Sequence, residues 1–311
     1  GYQQCCGGLG YCDRVDEALM GSPRVLIVGD VMDDVVAVIS RPLRPDTDTP
    51  ARIERTSGGS AANTAVWLAQ ESVAVDFVGR VGAADCDRFT TEFRSAGVSP
   101  YLEADAERTT GTIVIIAQGQ SRSMATDRGA NVALELSAIP AQALAGASWL
   151  HVTGYSFFHH DHAEVMSAFV TEAAHRGVGV MVDASSSGFL EDFGPERFLD
   201  LIAPARVLRC NEQEAQILSG SVDVDDAIAM LATRFPSVIV TRGAKGALVW
   251  EDGSSHHIEA PHLSVVDPTG AGDSFNAGIL AGLAGGASIV ASAQRAIELS
   301  ARCVTQVGAR P

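Results

Sequence analysis

Short, unbroken apolar runs recur along this chain, separated by segments of helical spacing. Residues 24–29, 75–81, 149–154, 179–183, 207–211, 238–243 and 246–250 each read as a strand buried on both faces. Between them, residues 62–70, 86–96, 162–175 and 227–235 repeat apolar positions three and four apart, the pattern of a helix with one buried side. The alternation predicts an α/β fold with three layers: a mostly parallel central sheet with helices on both faces. In such folds ligands bind outside the carboxyl ends of the strands.

Two segments break the rhythm. Residues 35–55 alternate and turn through Pro42, Pro45 and Pro50, while 109–117 is a β-rich run followed by the polar stretch 118–128. The two are expected to pair as a small separate sheet; the alternative makes both edge strands of the main sheet. Residues 1–22, with Gly7, Gly8 and Gly10 among polar neighbours, show no periodicity and read as a flexible extension. Residues 23–311 then form the one domain.

With 311 residues and 46% hydrophobic content, the chain can bury a large core. A formal net charge of −16 leaves no general basic field for nucleic acid or an anionic membrane, so an anionic ligand must meet local donors. No apolar run reaches the roughly 18 residues of a transmembrane helix. The first twenty residues carry one basic residue, Arg14, and no apolar core, unlike a secretory signal, so a cytoplasmic protein is expected. Cys5, Cys6, Cys12, Cys86, Cys210 and Cys303 include no Cys-x-x-Cys pair, which favours incidental or buried thiols over zinc or disulfides.

The densest candidate chemistry is Asp267-Pro268-Thr269-Gly270-Ala271-Gly272-Asp273-Ser274-Phe275, ahead of the apolar run 277–283. Small residues there deliver unpaired N–H groups to a helix start, which suits an anion, and Asp273 could take a proton beside it. The plain alternative is a glycine-rich turn capped by Asp273. The stretch lacks the Gly-Lys-Ser/Thr of a Walker A loop, and Phe275 sits where a dinucleotide fingerprint needs its third glycine. Ser57-Gly58-Gly59-Ser60-Ala61-Ala62-Asn63 opens an earlier helix with small residues and an amide that can donate and accept. Gly29-Asp30-Val31-Met32-Asp33-Asp34 ends the first strand. Asn211-Glu212-Gln213-Glu214 suits either a metal-organising pair or a helix cap, and Thr241-Arg242-Gly243-Ala244-Lys245-Gly246 joins two strands.

In this order, from about residue 25 to 308, the motifs resemble the PfkB/ribokinase family of carbohydrate and nucleoside kinases. The resemblance implies a ribokinase-like fold with a small β lid at about 35–56 and 108–128. It also implies ATP-dependent transfer of a phosphoryl group to a hydroxymethyl group of a small-molecule sugar or nucleoside. Asp273 matches the catalytic base, with Gly270, Ala271, Gly272 and Asp273 offering an N–H anion hole. Asp34, Gly58, Gly59 and Asn63 match the residues that bind sugar hydroxyls, Asp33 being the neighbouring rival to Asp34. Met32 stands where ribokinases proper usually carry asparagine, which speaks against ribose itself. Thr241 and Gly243 match the nucleotide loop, and Asn211 and Glu214 match the pair that organises Mg²⁺ largely through water. Asp267 and Thr269 match positions that in many relatives frame a monovalent cation such as K⁺. The family lid often makes a homodimer contact.

Arg122 and Arg128 flank the second lid segment, where either could receive a substrate phosphate or carboxylate or simply form a solvated face. Phe157-Phe158-His159-His160-Asp161-His162 looks like a metal cluster, but lacks a spaced fourth ligand; a loop with Asp161 capping the next helix is expected instead. Rival readings on the same fold are a kinase for a nucleoside, a sugar phosphate or a keto-acid sugar, and a catalytically silent binding regulator.

Overall fold

The computed structural model describes residues 23–119, 121–136 and 139–311; the extension expected at 1–22 lies outside these described residues. In chain order the strands are β1 (Arg24–Val28), β2 (Met32–Ile39), β3 (Ala51–Gly58), β4 (Ala74–Gly82), β5 (Val98–Asp105), β6 (Gly111–Gln118) and β7 (Ser121–Asp127). They continue with β8 (Trp149–Thr153), β9 (Gly179–Asp183), β10 (Val207–Asn211), β11 (Ser237–Thr241), β12 (Ala247–Glu251) and β13 (Ser254–Ile258). Nine of them form one sheet in the order β13-β12-β11-β10-β9-β8-β1-β4-β5. Pairing is parallel from β11 through to β5, and β12 and β13 add an antiparallel edge.

The buried apolar runs sort into two cores, one on each face of this sheet. One face is covered by α1 (Ser60–Gln70), α2 (Cys86–Ser95), α9 (Ala271–Ala284) and α10 (Ile289–Cys303), whose Trp67, Phe89, Phe93, Leu280 and Leu299 meet Ile27, Phe77 and Ile239 of the strands. The other is covered by α3 (Ala141–Ala145), α4 (His160–His175), α5 (Ser187–Phe193), α6 (Pro195–Leu201), α7 (Glu212–Ser219) and α8 (Val224–Leu231). The chain leaves β1 for β4 on one side and reaches β8 on the other, so a crevice opens at the carboxyl end of β1.

The two irregular segments do form a separate sheet, in the order β3-β2-β6-β7. Its register aligns Asp34 with Thr56 and Ile113, and Val38 with Ala117, which in turn faces Arg122. Side chains alternate across a sheet, so Asp34 and Arg122 share one face. Val35, Ala37, Ile53, Val114 and Ile116 take the other, where Ile53 is 63% exposed.

Two strands escaped the sequence pattern, both at sheet edges. β5 contains Pro100, tolerated because an outermost strand pairs on one side only. β13 reads Ser-Ser-His-His-Ile and is exposed except at Ile258, so no apolar signal marks it. The α4 helix begins at His160 with His159 as its N-cap, which places Asp161 inside the first turn and not at the expected capping position.

Candidate active site

The crevice is organised by Asp30, directly after β1. Its buried carboxylate accepts from Ser60 N–H at 3.0 Å, from Ala61 N–H at 3.3 Å and from Thr153 Oγ at 3.3 Å. Gly59, the N-cap of α1, has no side chain to cap with, so a carboxylate from 30 residues earlier does so. The arrangement locks the Gly58-Gly59 turn to the end of β1.

The start of α9 faces this turn. Gly270 is the N-cap at φ 81°, and a Cβ there would lie 2.5 Å from the carbonyl oxygen of Ala309, so only glycine fits. Ala271 N–H is spent on Pro268 O at 3.2 Å, which removes it from the expected set of anion donors. Among the described residues no backbone carbonyl takes the N–H of Gly272 or Asp273. Asp273 is not a cap: its carboxylate accepts from Ser60 Oγ at 2.7 Å and from Asn63 Nδ2 at 2.9 Å. Burial pushes its pKa up to about 7, with Asp183 and Asp30 adding to the rise and the Asn63 and Ser60 hydrogen bonds opposing it. A carboxylate poised near neutrality beside free helix N–H groups can accept a proton while an anion sits next to it.

Asp34 and Asp33 part company. The Asp34 carboxyl lies flat across Gly58, where a Cβ would come within 2.2 Å of Oδ2, and its buried Oδ1 has no partner. Burial lifts its pKa to about 6; Arg310 draws it down, while Asp30 and Asp33 push it further up. Asp33 instead pairs with Arg88 at 2.8 Å, away from this pocket. Asn63 is bound at both ends, since its Oδ1 accepts from Arg310 Nε at 2.9 Å.

Beneath Gly272 lies a buried ionic network. Arg209 meets both Asp183 oxygens at 3.1 Å and donates to Thr241 Oγ at 2.9 Å, and Asn276 Nδ2 donates to Asp183 at 2.6 Å. A Cβ on Gly272 would stand 3.2 Å from the Arg209 guanidinium. The expected nucleotide residue Thr241 is therefore tied into this network, and Gly243 opens the turn after it. Gly243 also lines an apolar cavity of about 260 Å³ with Leu263, Val265, Pro268, Ile297 and Val304.

Asn211 and Glu214 form a reciprocal capping box on α7: Asn211 Oδ1 accepts from Glu214 N–H at 2.9 Å, and Glu214 Oε2 from Asn211 N–H at 2.8 Å. Burial first, and then Asp183, raises the Glu214 pKa. The box leaves Glu214 Oε1 as an oxygen of the hard kind Mg²⁺ prefers. No group of three His, Cys, Asp or Glu side chains among the described residues could cage a metal. With one carboxylate and one amide, the pair has hard oxygens suited to the water shell of a hydrated ion and too few to cage one.

Asp267 and Thr269, expected beside a monovalent cation, are bridged by Arg122 of β7. Arg122 donates to Asp267 Oδ1 at 2.8 Å and to Thr269 Oγ, while Gly308 N–H reaches Asp267 Oδ2 at 3.1 Å. Although burial opposes it, hydrogen bonding from Thr269, Arg122 and Gly308 holds Asp267 below the usual carboxylate range. Arg128 turns elsewhere, its guanidinium donating to Tyr155 O at 3.2 Å and lying 4.9 Å from the centre of the Tyr155 ring. The side chains of His160 and Asp161 lie outside the described residues.

Several residues here had no motif to mark them. Asp183, Arg209 and Asn276 act across 26 to 93 residues of sequence, and Asp30, though inside the stretch that ends the first strand, carried no assigned role. Only partner geometry reveals such groups. Ser60 stood inside a recognised motif at one of its variable positions.

Comparison with known proteins bears on the family and the fold. The family model described as pfkB family carbohydrate kinase matches residues 22–311. The fructokinase of Escherichia coli is 29% identical over 299 residues, covering 91% of this chain and 92% of its own. The solved adenosine kinase of Sinorhizobium meliloti is 25% identical with a TM-score of 0.83, covering 93% of this chain and 96% of that one. A fructokinase with bound ATP from Xylella fastidiosa shares the fold at a TM-score of 0.81 and 23% identity, covering 92% and 93%.

Proposed function

We propose that this chain, which belongs to the pfkB family of carbohydrate kinases, transfers the γ-phosphoryl group of ATP to a hydroxymethyl group of an uncharged sugar or sugar-like acceptor, with Asp273 as general base. The carrying observation is the Asp273 carboxylate, bonded to Ser60 and Asn63 and one step from the unpaired N–H groups of α9. Asp273 takes the acceptor O–H proton as that oxygen bonds to the γ-phosphorus, and the bond from phosphorus to the β–γ bridging oxygen breaks to release ADP. The N–H groups of Gly272 and Asp273 stabilise the charge on the transferring group. Gly58, Gly59, Asn63 and Asp34 grip the remaining hydroxyls, the free Asp34 Oδ1 being a ready acceptor.

The apolar cavity beside Gly243 supports a purine site, with Thr241 and Gly243 toward the phosphates. Bound Mg²⁺ would offset triphosphate charge, with Asn211 and Glu214 holding its water shell; Asp267 and Thr269 would meet K⁺ only once the Arg122 guanidinium had withdrawn from them. An uncharged acceptor is favoured over a sugar phosphate or keto-acid sugar because Arg310 is already engaged by Asn63, Gly58 and Glu92 while Asp30, Asp34 and Asp273 stand around it. The exposed apolar outer face of the small sheet supports a homodimer contact, which Ile53→Asp should dissociate in sedimentation velocity.

The direct test is ADP release across pentoses, hexoses, their phosphates, aldonic acids and nucleosides, with magnesium and with or without potassium. Release that depends on an uncharged sugar is the expected result. Binding without turnover would make the chain a silent regulator, and a nucleoside as sole acceptor would move it to that branch.

Glu214→Gln separates metal from cap, because glutamine keeps the capping box while losing the charge. The magnesium concentration for half-maximal rate should rise several-fold with Tm nearly unchanged. Asn211→Ala should instead lose about 0.5 to 2 kcal/mol of stability, the usual worth of an N-cap. A normal magnesium response in Glu214→Gln would leave the pair a cap only.

A further inference from the structure

Residues 308–310 thread between the two functional motifs. Gly308 N–H is held by Asp267, and Ala309 O accepts from the buried Trp67 indole at 2.8 Å while filling the space over Gly270. Arg310 is thereby delivered into the acceptor pocket, its side chain 19% exposed. Its Nε donates to Asn63 Oδ1 at 2.9 Å and one terminal nitrogen to Gly58 O at 3.1 Å. Its nearest carboxylate is Glu92, at 3.7 Å. A largely buried cation that bonds mainly to neutral oxygens is an unusual commitment of charge.

The amide of Asn63 can face two ways. With Oδ1 on Arg310, Nδ2 is turned to the Asp273 carboxylate. The flipped amide would set two donors against each other at Arg310 and two acceptors against each other at Asp273. The guanidinium therefore fixes the only orientation that satisfies both ends. The groups whose charge acts on Asp34 are Arg310, Asp30 from the end of β1, and Asp33, itself paired to Arg88 of α2. The Asp34 carboxyl lies against Gly58, and the carbonyl oxygen of that same residue accepts from Arg310, so the two side chains converge on one glycine and Arg310 is the cation of the three groups.

We infer that Arg310 is a positioning residue of the acceptor pocket: it holds the Asn63 amide toward Asp273 and supplies the counter-charge that lets Asp34 bind hydroxyls as a carboxylate. The inference rests on the kinase reading for its meaning, since an acceptor hydroxyl must reach Asp273 past Asn63. It implies an uncharged polyol as acceptor, because the pocket's buried cation is already engaged by the protein.

The experiment needs no acceptor for its first arm. The protein labelled with ¹³C at aspartate carboxyls is titrated by NMR, with the Asp34 signal identified by its loss in Asp34→Asn. In wild type the midpoint should lie at about 6. Arg310→Gln should raise it by about one unit or more, since an opposite charge near a carboxylate is worth roughly that much, and Arg310→Lys should hold it near the wild-type value. An unmoved midpoint in folded Arg310→Gln overturns the counter-charge. In the second arm, with the acceptor found by ADP release, Arg310→Lys should raise acceptor KM roughly tenfold, the worth of a lost hydrogen bond to a charged group, with a smaller change in kcat. Wild-type KM in Arg310→Lys overturns the fork's hold on Asn63. If the wild-type enzyme turns over nothing, the kinase reading fails, while the titration still decides the role of Arg310.

Discussion

Asp273→Asn should yield a folded, nucleotide-binding protein whose kcat is lower by roughly 10² to 10⁴, the usual worth of a positioned acid–base group. That is about 3 to 5 kcal/mol of transition-state stabilisation. The folded state should survive because Asp273 caps nothing; its partners are the Ser60 hydroxyl and the Asn63 amide, and asparagine can still accept from one of them. The wild-type pH profile carries the same signature. Burial lifts the carboxyl to about 7, so the base is progressively disarmed as pH falls through that value. Wild-type kcat should climb through neutrality and level off above it, and the asparagine variant should lose that limb. A folded variant keeping more than a tenth of wild-type kcat, with chemistry shown to limit the rate, would end the base assignment.

Arg209→Met should destabilise the fold by about 3 to 5 kcal/mol, the penalty for leaving one member of a buried ion pair alone. Arg209 and Asp183 are both nearly inaccessible, and Asn276 already spends its amide on the same carboxylate. Adding Asp183→Asn to Arg209→Met should recover much of the loss, because the orphaned charge disappears while the bond to Asn276 stays available. Urea denaturation of the wild type and the two variants measures this directly. A loss below about 1 kcal/mol in Arg209→Met would mean that water or a neighbouring group replaces the guanidinium. The network sits directly under Gly272, so the double variant also reports whether the start of α9 depends on it.

The pfkB kinase domain covers residues 22–311, and phosphotransfer follows from that membership. The fold accounts for how the parts meet. β1 ends at the switch point, Asp30 clamps the turn into α1, and that turn carries Ser60 and Asn63 to the carboxylate on α9. Positioning by backbone and short hydrogen bonds dominates the site, as suits a reaction in which the protein forms no covalent bond.

By itself the sequence determined the parallel sheet, the two β segments that break its rhythm and the order of the motifs, because each leaves a local mark. Doubly buried strands have no polar face to interrupt them, helices repeat at 3.6 residues, and close backbone approach demands small side chains at fixed spacing. It could not mark β13, whose exposed edge needs no apolar residues, or β5, whose Pro100 argues against a strand unless the strand is outermost. Only the tertiary structure decided between local alternatives that were equally compatible with the residues. It turned Asp273 from a cap into a carboxylate held by α1, separated Asp34 from Asp33, and engaged Asn211 and Glu214 with each other. It also brought Arg310 to Asn63 across 247 residues and Arg209 to Asp183 across 26. Such pairings are set by burial and by the need to satisfy every buried charge, and neither condition exists until the chain has folded around it.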